Sequence, residues 1–119
     1  MNLTHHIDMT NIQEFLDTVI EREFIVSETE ELLQRTNRTV WFTWGVTNIT
    51  YYASKALALW VTAHHHQGWV VVTLAWDDTY KYYLVNQDFT IKKKVSNVYF
   101  DDLQRSIDMD IEYIEDYKF

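Results

Sequence analysis

Three consecutive histidines, His64, His65 and His66, are the residues whose chemistry first calls for a decision. Neutral imidazoles bind zinc, nickel or copper, but two helical histidines that share a metal stand at i and i+4. Consecutive residues of a helix point about 100° apart, so this run cannot converge on one ion. The only other histidines are His5 and His6, and the chain has no cysteine, no His-Glu-x-x-His and no facial-triad spacing. A helix C-terminus does favour histidine, because its free carbonyls carry partial negative charge, and a glycine just beyond is the common left-handed stop. With Gly68 next in line, the run is expected to end a helix, and neither a metal nor a cofactor is expected.

Carboxylates supply the remaining chemistry. Asp101 and Asp102, followed by Asp116 and Lys118, could hold Mg²⁺ and cleave a phosphodiester, which needs an ion, a positioned water and a compensating cation. That pattern is incomplete, and an acidic chain repels such a substrate, so no catalytic residue is assigned. Asp77 and Asp78 suit turn chemistry between strands. Near the C-terminus Ile107, Met109, Ile111 and Tyr113 alternate with Asp108, Asp110 and Glu112, the pattern of a strand with one apolar and one acidic face. Alternate acids would stand about 6.6 Å apart, a spacing able to imitate a nucleic-acid backbone. Asp108, Asp110 and Glu112, continued by Glu115 and Asp116, are therefore the expected partner-binding residues. The competing arrangement pairs this row with Lys92 and Lys94 on a neighbouring strand, where each cross-strand pair contributes about 0.2–1 kcal/mol.

These residues sit in a chain of 119 with a formal net charge of −8. Residues 1–35 carry net −6, residues 36–100 net +3 and residues 101–119 net −5. Nucleic-acid binding is mainly neutralisation of phosphates by Lys and Arg, so this balance argues against a direct nucleic-acid ligand and for a basic protein partner. A glycine-rich phosphate cradle is excluded by a glycine content of two, Gly45 and Gly68. The start "MNLTHHIDMT" has no secretory pattern and no stretch is long enough to cross a membrane, so a cytoplasmic protein is expected. The sequons at Asn2, Asn37 and Asn48 then read as chance matches.

Hydrophobic residues make up 47% of the chain, enough for a core, and no proline-rich or low-complexity linker divides it, so a single domain over 1–119 is expected. Thr10 and Gln13 form a capping box ahead of Ile12, Phe15, Leu16, Val19 and Ile20 at helical spacing. Ser27 and Glu30 repeat the signal for a short helix to about Arg35. Residues 39–44, rich in β-branched and aromatic types, predict a strand or extended segment. From a Thr47 or Asn48 cap, the stripe Ile49, Tyr52, Ala53, Ala56, Trp60 and Ala63 predicts the longest helix, ending at the histidines. Period-two segments at 69–76, 80–86 and 89–95 predict an antiparallel meander, joined by the C-terminal strand. The fold class is α+β, with helices packed on one face of an antiparallel sheet made of the three-stranded meander and a C-terminal strand.

The segments "FTWGVTNITYYASKALALWVTAHHHQGWVVVTLAW" and "VSNVYFDDLQRSIDMDIEY" resemble a family of small proteins of bacteria, phages and mobile elements, over about residues 39–117. In that family a Thr-x-Gly-Val leads a helix and a tryptophan-containing strand follows. The resemblance implies an α+β fold and a mobile-element setting, and it implies no activity. Together with the charge it leads to the expectation of a small acidic interaction protein, not an enzyme, that inhibits a basic host protein. A host defence nuclease such as a CRISPR effector is the instance that nucleic-acid mimicry would suit. A metal-dependent phosphodiesterase and a structural or homodimeric module are the alternatives.

Overall fold

The computed structural model describes residues 9–114, with side chains from residue 12 onward. Its elements run α1 (Met9–Val19), α2 (Val26–Thr36), α3 (Arg38–Thr43), β1 (Asn48–Tyr52), β2 (Ala56–Thr62), β3 (Gln67–Leu74), β4 (Tyr80–Val85), β5 (Ile91–Val98) and, after a 3₁₀ turn at Phe100–Asp102, α4 (Leu103–Ile111). The α+β class holds. The five strands form one antiparallel sheet in the order β1-β2-β3-β4-β5, each paired with its neighbour in sequence. The expected meander is its β3–β5 half.

The helices lie on both faces, not on one. Successive residues of a strand point to opposite sides, and here both sides are apolar in the central strands. Leu57, Leu59 and Val61, with Val70, Val72, Tyr82 and Leu84, form one core with Val26 and Leu33 of α2, with Trp44, and with Leu103, Ile107 and Ile111 of α4. The intervening Ala56 and Ala58, with Trp69, Val71, Tyr83 and Val85, form a second core under Ile12 and Leu16 of α1. The small Ala56 and Ala58 let α1 approach the sheet closely, and Phe15 meets Tyr83 edge to face at 6.1 Å.

The long helix predicted over 47–66 is a hairpin, β1–β2. Tyr52, Ala56 and Trp60, four apart, share one helical face, but they also share strand parity, so the stripe fits both periods. The turn itself hides the hairpin: Ala53 and Ser54 both take φ of 53°, and Lys55 N–H donates to Tyr52 C=O at 2.8 Å. This is a primed turn built without the glycine or asparagine that signals one.

Residues 39–44, predicted as a strand, form α3. The Asn37 side chain caps it, accepting from Thr39 N–H at 3.0 Å and Val40 N–H at 3.1 Å. The helix leads into Trp44, which is completely buried. The first two helices exist as expected, with different starts. α1 begins at Met9, so Thr10 lies inside it, and α2 begins at Val26 after Ile25, with no side-chain cap.

The predicted C-terminal strand is α4. Ile107 and Ile111 are buried one turn apart while Met109 and Tyr113 are exposed. Leu103, Ile107 and Ile111 thus form the inward stripe, at a spacing of four, where alternation had put four residues inward. Asp77 and Asp88 have the turn role expected of aspartate between strands. Asp77 accepts from Thr79 N–H at 3.1 Å, and Asp88 accepts from Thr90 N–H at 3.2 Å. Those bonds hold both carboxyls below the usual aspartate range, the threonine hydroxyl contributing most.

Candidate interaction surface

The histidine run lies in the β2–β3 turn, closed by Ala63 N–H donating to His66 C=O at 3.0 Å. It ends no helix, because a strand precedes it, and it abuts the C-terminal end of α4 instead. His65 N–H donates to Ile111 C=O at 2.6 Å, and His64 N–H donates to the Glu112 carboxylate at 2.7 Å. The His65 ring reaches Tyr113 C=O through Nε2 at 2.9 Å. The first of these contacts satisfies the carbonyl of the last residue of α4, which has no partner within its own helix, and the last meets a carbonyl two residues beyond it.

The His66 ring turns the other way, into the protein, and its Nε2 donates to Trp69 C=O at 3.0 Å. Burial lowers the pKa of His66, opposed by that bond and reinforced by the Lys92 charge. The three rings therefore do not converge. Among the described residues no group of three or more His, Asp or Glu side chains is placed to hold a metal ion. His5 and His6 lie outside the described residues.

The expected acidic row is not a row. On a helix Asp108 and Asp110 diverge, and each is engaged within the protein. Asp108 accepts from Trp44 Nε1 at 3.0 Å. Asp110 accepts from the Tyr82 hydroxyl at 2.6 Å and from Lys93 Nζ at 2.7 Å, with 16% of its side chain exposed. Glu112 receives the His64 amide. Burial first, and the Asp110 bond second, push the Tyr82 hydroxyl well above the usual tyrosine range. Glu115, Asp116 and Lys118 lie outside the described residues, and Asp102 pairs with Arg105.

Lys92 and Lys94, expected on one face of their strand, are separated by a register shift between Leu84 and Val85. Lys94 lies opposite Tyr83, with Nζ 5.9 Å from the ring centroid, on the α1 side. Lys92 donates to His65 C=O at 2.6 Å. The lysine that meets α4 is Lys93, which lies between them.

An open groove of about 380 Å³ runs between β5 and α4, with Tyr99 and Met109 among its walls. Its charged side chains are paired with each other, Lys93 with Asp110 and Arg105 with Asp102, so it offers no free charge to a ligand.

Exposed carboxylates gather instead on α1 and α2. Glu14, Asp17, Glu28 and Glu31 are exposed, and no ion pair among the described residues involves them. The two helices sit on opposite faces of the sheet and flank β1. The Tyr52 hydroxyl donates to Asp17 of α1, and the Tyr51 hydroxyl donates to Glu30 of α2. Both tyrosines are raised in pKa by those bonds, and Glu31 adds its charge at Tyr51. The charge runs of residues 1–35 were legible in the sequence. The placement of Asp17, Glu30 and Glu31 beside β1 was not, because the spacing of Tyr52, Ala56 and Trp60 reads as a helix there.

Among the described residues no helix is long and apolar enough to cross a membrane. Comparison with protein-family models, with curated proteins and with solved structures finds no match to this chain.

Proposed function

We propose that this protein is a non-catalytic binding protein whose acidic surface engages a basic partner protein and occludes the partner's own anion-binding groove. The observation that supports this reading is the placement of exposed carboxylates, with Glu14 and Asp17 on α1 and Glu28 and Glu31 on α2, while the charged side chains of the β5–α4 groove are paired with each other. A nuclease that binds nucleic acid, such as a host defence nuclease met by a phage protein, has a groove of the required sign. Carboxylates held on folded helices would compete there with phosphates.

Asp108 and Asp110, expected as binding residues on a C-terminal strand, have a structural task on α4 in this reading. Asp108 and Asp110 fix α4 to Trp44, Tyr82 and Lys93, so reversing their charge damages the scaffold before it touches a partner. The test is a pull-down with the full chain from a bacterial lysate, followed by affinity measurement on the captured protein. Glu14→Lys with Glu31→Lys should slow association and reduce its salt dependence while leaving the melting temperature unchanged. Affinity for the captured partner that is untouched by that pair would overturn the proposal.

A further inference from the structure

The sheet ends in two edges that are built differently. β5 carries Lys92, Lys93 and Lys94, two register shifts against β4 and a left-handed Asn97 at φ 61°. Lysines and bulges are the devices that keep a foreign strand away from an edge. β1 has none of them. Asn48–Tyr52 contains no charge and no proline, and its register with β2 is unbroken.

The outward groups of β1 follow from its turn. Tyr52 C=O accepts from Lys55 N–H within the hairpin, so Tyr52, Thr50 and Asn48 bond toward β2. The alternation of an antiparallel pair then points the N–H and C=O of Ile49 and Tyr51 away from the sheet. Among the described residues no strand lies beyond them. Ile49 and Tyr51 are 41% and 49% exposed. Carboxylates stand on both faces of this neutral edge, Asp17 on the α1 side and Glu30 and Glu31 on the α2 side.

We infer that the β1 edge receives an extended, lysine- or arginine-bearing segment of the partner as an added strand. This rests on the acidic-surface reading above and names how the partner is held. Main-chain bonds to Ile49 and Tyr51 supply the common affinity, as in other strand additions. Apolar side chains of the added strand cover Ile49 and Tyr51, and its cations meet Asp17, Glu30 or Glu31. A second copy of this chain is the wrong occupant, because pairing β1 with itself sets Asp17, Glu30 and Glu31 against their own kind.

The experiment uses fluorescence anisotropy with the full chain and a short, capped, labelled peptide of alternating lysine and valine. Its control has the same sequence N-methylated throughout, which keeps every charge and removes every backbone donor. The first peptide should bind with a Kd of order 10–100 μM, weakening several-fold between about 0.05 and 0.5 M salt. The methylated peptide should bind at least about tenfold more weakly. Ile49→Pro removes one outward N–H and leaves the ladder to β2 intact, so it should weaken the first peptide to a similar degree at an unchanged melting temperature. Asp17→Asn combined with Glu30→Gln, which keeps acceptors for both tyrosines, should weaken it several-fold. Equal binding of the two peptides would overturn the inference and leave the acidic-surface reading standing. Binding of neither peptide would overturn it as well. So would sedimentation of the free chain as a dimer that Ile49→Pro dissolves.

Discussion

Asp110→Ala tests the claim that α4 is held by its acids. The Asp110 carboxylate accepts a hydrogen bond from the fully buried Tyr82 hydroxyl at 2.6 Å and another from the Lys93 ammonium at 2.7 Å. A hydrogen bond to a charged group contributes about 1.5–3 kcal/mol. The pair with Lys93, half exposed on the lysine side, adds about 0.2–1 kcal/mol. The loss is capped because the Tyr82 hydroxyl is not orphaned: the main-chain carbonyl of Ser106 lies 3.0 Å away and accepts in its place. The expected cost is about 2 kcal/mol, read in urea titration or as a melting shift of about 8 °C for a domain of this size. A double-mutant cycle should give the larger coupling with Tyr82→Phe and no more than about 1 kcal/mol with Lys93→Met. A cost of Asp110→Ala below about 0.5 kcal/mol would refute the reasoning and return this carboxylate to the surface as a free binding group.

Gly68→Ala would put a Cβ 2.5 Å from Val85 C=O and 3.2 Å from the His66 ring; a loss of about 1–3 kcal/mol in urea titration is expected. Ala53→Gly should raise stability by about 0.5–1 kcal/mol, because it relieves a non-glycine residue held at φ 53°, less the entropy that glycine brings to the unfolded chain. Since the folded pKa of His66 lies below its unfolded value, the unfolded chain binds the extra proton. Stability should therefore be full above about pH 6.5 and fall as the pH drops below it, by at most about 1.4 kcal/mol per pH unit, and His66→Gln should flatten that slope in melting curves.

The sheet was legible where turn chemistry was legible. Asp77, Asp78 and Asp88 bounded β3, β4 and β5 to within a few residues, because aspartate beside a threonine leaves little freedom for any other local structure. Where the turn relied on Ala53 and Ser54, no residue announced it, and the spacing of Tyr52, Ala56 and Trp60 fitted two periods at once. At α4 the error had the opposite cause. Alternating Ile107, Met109, Ile111 and Tyr113 imitated a strand, and only the burial of Leu103, Ile107 and Ile111 decides for a helix. The acidity of residues 1–35 was plain in the sequence. Which carboxylates remain exposed is a property of the packing, since Trp44, Tyr82 and Lys93 meet Asp108 and Asp110 only once the sheet is assembled.

The bonds from His64 and His65 to the end of α4 join residues 48 apart in the chain, whereas every strand pairs with the one next to it in sequence. Closing long loops costs more entropy than forming hairpins, so neighbouring hairpins are the cheap steps and the histidine clasp forms after them. α4 should then be less protected than the central strands in native-state hydrogen exchange. Its amides would open with the β2–β3 turn as one unit while the centre of the sheet stays closed. A protease acting on folded protein would accordingly cut within α4 before it cuts the central strands.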